Sequence, residues 1–511
     1  MTDTNHYSFK RAKRSLGYFA IGKVGSGLAG FGLLILVARL LPRAEYGTYI
    51  TYMSLFEIIQ LVSNIGLFPI AQRYVTDCRI NGTQRQLIKL VSFTSLGRFV
   101  TLLAACGGLY LFSEQLLGFM GIPAARKSFI LYLLVMLGEG VSRYLDLVFE
   151  SLLLQGRAQI SIFFRTASKL AAFASMAWAY GGITLDTLIE LEAVTAAAGL
   201  GLSLLMITNY LWVRSGKPPA TTAQRKYALS EMFGFSLRYY FAQIIGMLSS
   251  GDAIKLITAR VLGVMEAASF GFSYSIYVVM LRYLPAYLLM GMLRPLFIAK
   301  HSSGSDFTEI NNMANMVFKL NVFCITPLLA FLILYGTQFS SLLSGGKYPG
   351  AAGILVALCV LLVFQTLHML LGLLAITIEK AQSALYGTIL STGGVIIGVY
   401  LTKDYGVSGL VAGLLLSEIF WCAAVWLSFY FTGVRFRLDW LALLKFIIVT
   451  AAVVFLLNKL NLPPSPNPMQ MALVMGLVLF SCALLTYILK PFNARERATI
   501  NRVLPKPLFV W

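Results

Sequence analysis

LVARLLPRAEYGTY, residues 36–49, ends one long apolar run and opens the next. A related stretch, ITARVLGVMEAASF, occupies 257–270. A shift of 221 residues lays Ala38, Arg39, Leu41 and Glu45 on Ala259, Arg260, Leu262 and Glu266. The same shift brings Tyr18 onto Tyr239, Gly25 onto Gly246 and Arg73 onto Arg294. The matching turn follows the first apolar run and the seventh. Six runs therefore separate the copies, and both copies enter a membrane in the same direction. Parallel repeats of this kind imply two six-helix lobes around a central cavity, the architecture of alternating-access transporters.

Composition agrees with a membrane-embedded repeat. The chain has 511 residues, of which 58% are hydrophobic and 12% charged, and its mean hydropathy is +0.77. Soluble domains carry about 45–50% apolar and about 25% charged residues. A soluble enzyme, a disordered chain and a disulfide scaffold are excluded on that ground. Fourteen apolar segments are expected, at 16–41, 46–72, 90–112, 128–153, 159–181, 188–213, 231–257, 266–293, 312–335, 351–376, 382–402, 407–431, 441–460 and 469–489. Most are long enough to span as helices, and none shows the period-two alternation of barrel strands. The expectation is an all-α integral membrane protein of about 14 transmembrane helices. Two six-helix lobes are followed by two extra C-terminal helices. Six cysteines without CxxC spacing, five of them in apolar runs, read as small apolar residues.

The formal charge of +20 implies no nucleic acid, because Lys and Arg collect in the cytoplasmic loops of membrane proteins. Loops on the N-terminal side hold Arg73, Arg79, Arg85 and Lys89, then Arg214, Lys217, Arg225 and Lys226; the opposite loops hold fewer. Both termini are therefore expected in the cytoplasm. The basic cluster at Lys10–Arg14 precedes an apolar run too long for a signal peptide, so that run reads as an uncleaved first span. The expected organisation is a basic tail at 1–15, an N-lobe at 16–213 and a linker at 214–230. A C-lobe at 231–431, two added spans at 432–489 and a tail at 490–511 complete it. The linker, RSGKPPATTAQRKY, is the largest loop.

The residues quoted above carry a family resemblance. The first span ending VARLLPRAEYGTY, the polar second span, and Leu154-Gln155-Gly156-Arg157 opening span five resemble the polysaccharide (Wzx-type O-antigen) flippases. So do the Asp252–Glu266 segment and Tyr405-Gly406-Val407-Ser408-Gly409 at span twelve. The second copy departs from the signature, with Ala267-Ala268-Ser269-Phe270 in place of Tyr46-Gly47-Thr48-Tyr49. That family belongs to the multidrug/oligosaccharidyl-lipid/polysaccharide exporter superfamily, with the lipid II flippases and the MATE exporters. The resemblance implies a V-shaped, non-enzymatic transporter of the bacterial inner membrane. It implies a lipid-linked oligosaccharide as cargo, on undecaprenyl diphosphate, and polysaccharide polymerase and export machinery as partners. No cofactor is expected beyond coupling to a proton or sodium gradient.

Ionisable residues inside the spans are the candidate site. Each basic one costs about 2.5–3.5 kcal/mol in lipid even on the lenient insertion scale, so it faces protein or water. Arg238, Lys255 and Lys445 lie near span ends, where they can snorkel. Lys23, Arg98, Arg143, Arg165, Lys169, Arg282 and Lys319 are the candidate substrate-binding cations, because Arg and Lys give charge-assisted hydrogen bonds to a diphosphate. Glu139, Arg143, Asp146 and Glu150 share one face of span four, and Arg165 and Lys169 one face of span five. Asp146 and Arg165 lie at similar depth and are expected to pair. Resemblance to the lipid II branch implies a cationic cavity from spans one, two and eight. Lys23 and Arg282 fit this, whereas span two offers Glu57, Gln60 and Asn64. Glu57, Asp252 and Glu418 are candidates for ion coupling. His368 reads first as a core residue.

Gly17–Lys23 spells GxxxxGK, but Val24 stands where Ser or Thr would hold magnesium, and no strand precedes it. Gly22, Gly25, Gly27 and Gly30 read as helix-packing positions. Two alternatives remain: a MATE-like ion-coupled exporter and a membrane polysaccharide polymerase. A basic interior and 14 spans count against the first. The second needs an extramembrane loop of catalytic carboxylates that the sequence does not supply.

Overall fold

The computed structural model describes residues 9–214, 229–302, 307–460 and 468–503. The 1–8 and 215–228 segments, the end of the C-terminal tail and the side chain of Arg238 lie outside the described residues. Every regular element among them is helical. The chain packs as two compact units, Met1–Ala268 and Ser269–Trp511.

The first unit contains α1 (Phe9–Leu40), α2 (Arg43–Val62), α3 (Leu67–Ile70), α4 (Thr76–Asn81), α5 (Gln84–Leu111) and α6 (Ser113–Phe119). It continues through α7 (Arg126–Ser151), α8 (Gln155–Tyr180), α9 (Leu185–Arg214), α10 (Leu229–Met247) and α11 (Gly251–Leu262). Helix α12 (Val264–Tyr283) crosses the boundary. The second unit has α13 (Pro285–Leu288), α14 (Met290–Ser302), α15 (Phe307–Ser344), α16 (Ala351–Thr377), α17 (Ala381–Tyr405) and α18 (Val407–Phe431). It ends with α19 (Trp440–Asn458), α20 (Pro468–Leu489) and α21 (Ala494–Val503).

Eleven described helices are long and apolar enough to cross a membrane, or twelve if the pair Arg43–Val62 and Leu67–Arg79, bent by 60°, is one span. Two of the fourteen expected segments do not pass. Helix α8 carries Arg165 and Lys169 within its apolar stretch, and the 231–257 segment is divided by the turn at 248–250. The division at 268 places α10 and α11 with the first unit, whereas the expected lobes part at the 214–230 linker. The physical reason is that α11 packs against α2. At the α11–α12 junction, a Cβ added to Gly47 would run into the Val264 carbonyl.

Local signals account for the element ends. Thr83 caps α5 in a reciprocal box, its Oγ1 accepting from the Gln86 N–H at 3.3 Å while Gln86 Oε1 accepts from the Thr83 N–H at 2.8 Å. Ser250 caps α11. Gly181 ends α8 at φ 71°. In the first unit α1 lies along α8 through small residues. A Cβ on Gly22 would sit 2.7 Å from Gln159 Cβ, and one on Gly25 3.4 Å from the Phe163 ring.

The break after α2 is where a helix would otherwise continue. Ile65 and Gly66 take φ of 43° and 79°, and freed backbone groups inside a membrane need partners. Arg98 of α5, 0% exposed, donates from Nη2 to the Gln60 carbonyl and from Nη1 to Ser63 Oγ, both at 3.0 Å. Asn64 Oδ1 accepts from the Phe68 N–H at 2.8 Å. The second unit repeats the device. Helix α12 ends at Tyr283, 221 residues after Val62, and the chain restarts at Pro285. There the buried Asn321 Oδ1 of α15 accepts from the Ala286 N–H at 3.0 Å.

Candidate functional site

The densest group of charges lies on four helices of the first unit. Helix α7 supplies Glu139, Arg143 and Asp146 at spacings of 4 and 3, so they share a face. Helix α8 supplies Arg165 and Lys169, α9 supplies Glu192, and α2 supplies Glu57 and Tyr49. The α7–α8 hairpin is tight, closing at 152–154 with Leu153 at φ 53°, and this brings Asp146 level with Arg165.

Arg165 donates from Nη2 to Asp146 Oδ2 at 2.5 Å and from Nη1 to Ser161 Oγ at 2.7 Å. Its Nε lies 3.4 Å from Glu139 Oε1. Lys169 Nζ donates to Glu192 Oε1 at 2.9 Å and to Glu139 Oε2 at 3.3 Å. Arg143 donates from Nη1 to Glu57 Oε1 at 2.6 Å and from Nε to Glu139 Oε1 at 3.3 Å. Tyr49 donates its hydroxyl to Glu192 Oε2 at 3.0 Å. Glu139 is the hub, facing all three cations. The group holds Arg143, Arg165 and Lys169 against Glu57, Glu139, Asp146 and Glu192, one carboxylate in excess.

The remaining sequence candidates are dispersed. Arg98 is bonded to the α2 break. Lys23, half-buried on α1, interacts electrostatically with Glu150. Asp252 pairs with Lys255 one turn along α11, at 2.8 Å. In the second unit Arg282 is exposed in the last turn of α12. Lys319, 3% exposed, lies 2.5 Å from Asp439 Oδ2 at the start of α19 and 2.9 Å from Glu496 Oε1 of α21. Asp439 lies outside the spans. Burial alone would raise its carboxyl, but the hydrogen bond from Lys319 and the Ala442 N–H outweigh burial and hold it below the ordinary Asp range.

Glu418 of α18 accepts from Gln365 Nε2 at 2.6 Å and lies 2.7 Å from His368 Nδ1, both on α16. The His368 ring stacks on Trp421 with centroids 3.5 Å apart. Tyr287, just past the α12 break, donates to the Gln365 carbonyl at 3.0 Å. The sequence reading left out Tyr49, Gln365 and Trp421. Neutral residues carry no intramembrane cost that would single them out. Among the described residues no group of three His, Cys, Asp or Glu is placed to hold a metal.

No protein-family model matches the chain, and no curated protein matches it. Solved structures do. The lipid II flippase MurJ in an inward closed conformation superposes with a TM-score of 0.69 at 14% identity, covering 92% of this chain and 98% of its own. An inward-facing multidrug resistance MATE family transporter of the MOP superfamily gives 0.62 at 14% identity, over 80% of this chain and 94% of its own. A MOP superfamily transporter from Pyrococcus furiosus, described as having a binding pocket of reverse polarity, gives 0.56 at 15% identity, over 82% and 93%. The chain has the fold of these transporters.

Proposed function

We propose that the protein is an alternating-access flippase. It moves an undecaprenyl-diphosphate-linked oligosaccharide from the cytoplasmic to the outer leaflet of the bacterial inner membrane, for surface polysaccharide assembly. Both termini lie in the cytoplasm, a proton or sodium gradient drives the cycle, and a polymerase and export machinery take up the product. The observation that carries this reading is the extent of the likeness to a lipid II flippase, 92% of the chain against 80% for the MATE transporter. The lipid-linked cargo of that neighbour, the first-span signature and the cations of α7 and α8 all suit an anionic headgroup held inside the membrane.

One observation favours a second reading. The cluster of the first unit has more carboxylates than cations, which suits export of an organic cation by a MATE-like, ion-coupled cycle.

A reconstitution separates the two. Vesicles containing the purified protein would receive a lipid-linked diphosphate oligosaccharide in one leaflet. Its accessibility to an impermeant, sugar-modifying reagent would then be followed. Transfer well above the protein-free rate is expected. Transfer at the protein-free rate, with efflux of a fluorescent organic cation, would sink the flippase and leave the exporter.

A further inference from the structure

Six of the seven charged groups in the α2–α7–α8–α9 cluster touch at least one other buried member, yet only one edge of the cluster is open. The Arg143 and Glu57 side chains are 39% and 38% exposed, against 5% for Arg165 and 11% for Lys169. The exposed pair is also incompletely bonded. Arg143 spends Nε on Glu139 and Nη1 on Glu57, and among the described residues its Nη2 meets no acceptor. Glu57 uses Oε1 alone. The guanidinium is held in place rather than free to swing, because its carbon lies 4.8 Å from the Phe56 ring centre. By contrast Arg165 has both terminal nitrogens on Asp146 and Ser161, and Lys169 lies between two carboxylates. An ion pair with an open donor cannot face hydrocarbon at tolerable cost, so this edge faces water.

We propose that this edge is an anion-exchange point. Arg143 takes a phosphate oxygen on Nη2, and as Glu57 is displaced it takes a second on Nη1, in the two-pronged geometry that a guanidinium offers phosphate. Glu57 is the internal anion that holds the fork ready and gives way. Glu139 stays on Nε and keeps the guanidinium oriented, while Arg165 and Lys169 hold the frame. The inference rests on the flippase reading for its ligand, a diphosphate. That chemistry is shared by an isoprenoid diphosphate and by free inorganic pyrophosphate.

Calorimetric titration of the full chain in detergent with farnesyl diphosphate and, separately, with pyrophosphate tests the exchange. Arg143→Gln should weaken binding about ten-fold or more, the loss of hydrogen bonds to a charged group. Glu57→Gln should tighten it about two- to five-fold, because the competitor is gone and a half-exposed ion pair is worth little. The double variant Glu57→Gln/Arg143→Gln leaves no orphaned charge at the edge, so it reports on binding even where the single Arg143 variant folds poorly, and it should bind as weakly as Arg143→Gln. Farnesyl diphosphate binding far more tightly than pyrophosphate assigns the site to a lipid headgroup; equal affinity assigns it to the free anion. Wild-type binding in the double variant, or weaker binding after Glu57→Gln, overturns the exchange. A protein that binds in the expected pattern but moves no lipid keeps the site and loses the flippase. One that flips at the wild-type rate after Arg143→Gln loses the site and keeps the flippase.

Discussion

The first unit joins α7, α8 and α9 through a cluster of charges shared with α2; in the second, the corresponding α17 and α18 are closed by glycine against glycine, and α16 meets α18 through the single carboxylate of Glu418. Under the 221-residue shift, Glu57, Glu139, Arg143 and Asp146 fall on Val278, Val360, Phe364 and Leu367. Arg165, Lys169 and Glu192 fall on Tyr386, Leu390 and Gly413. Where Glu192 meets Lys169, Gly413 lies directly against Gly398, and a Cβ on Gly398 would come within 2.7 Å of the Gly413 Cα. Gly394, Gly398, Gly409 and Gly413 form two small-xxx-small pairs, the usual route to tight helix packing in a membrane. The same helix order is thus closed in the second unit without any of these seven charges. Buried ion pairs are in general no better for stability than well-packed apolar groups. Seven charges gathered where the repeat has none at the matching positions therefore point to work other than folding.

Four measurements would sharpen or break that contrast. The largest effect is expected at the hub. Glu139→Gln leaves Arg165 and Lys169 short of a carboxylate and should destabilise the protein by about 3–5 kcal/mol, measured by unfolding in detergent. Val360→Ala, its counterpart in the repeat, should cost less. Next is the Asp146–Arg165 pair. A cycle of Asp146→Asn, Arg165→Gln and the double variant should return a coupling of about 0.5–3 kcal/mol; strict additivity would contradict the contact. In the second unit Gly413→Ala should cost about 1–3 kcal/mol from overpacking against α17 backbone. Stability equal to wild type there would mean that α17 and α18 are less tightly apposed than the structure has them.

The smallest effect is a pH dependence in the second unit. The Asp439 carboxyl is held low by burial being outweighed by Lys319 and the Ala442 N–H. A carboxyl lower in the folded than in the unfolded state stabilises fully above the unfolded value, about 3.9. That contribution disappears as pH falls through the folded value, because the unfolded chain then binds more protons. Wild type should therefore lose stability on acidification below about pH 4, and Asp439→Asn should lose less. Parallel acid profiles for the two proteins would place the Lys319 tie elsewhere.

The helical, membrane-embedded class was legible because apolar runs of span length leave few alternatives. The Asp146–Arg165 contact was legible because a short hairpin fixes register between neighbours in sequence. The partners of Lys319 were not, since Asp439 comes after three further helices and Glu496 after five, 177 residues away. The partners of Arg98, a carbonyl, a hydroxyl and an amide, carry no charge and so leave no mark in a pattern of acids and bases. Lys319 lies 221 residues after Arg98, so one buried position of the repeat serves a helix break in one unit and a C-terminal tie in the other. The α2 break was hidden inside one long apolar run: Gly66 and Pro69 mark it, but no polar loop separates them from α2. The excess of carboxylates arises because Glu57 of α2 and Glu192 of α9 join the α7–α8 group, contacts between helices that spacing along one helix does not specify.

The α7–α8 hairpin also has a consequence for how the protein is made. Helix α8 carries Arg165 and Lys169, and each costs about 2.5–3.5 kcal/mol at the centre of an inserting helix. On its own it is the poorest candidate among the long helices to leave the translocon for lipid. Asp146 and Glu139 are synthesised first, on α7, and are just as unwelcome alone. Each helix thus carries the counter-charges that make the other acceptable, and the two are expected to enter the bilayer as a pair, with α7 held at the translocon until α8 arrives. Nascent chains truncated after α7 should insert it poorly in a glycosylation-mapping assay, and lengthening the chain through Lys169 should restore insertion. Full insertion of α7 from the shorter chain would show that the hairpin forms only after its helices are already in place.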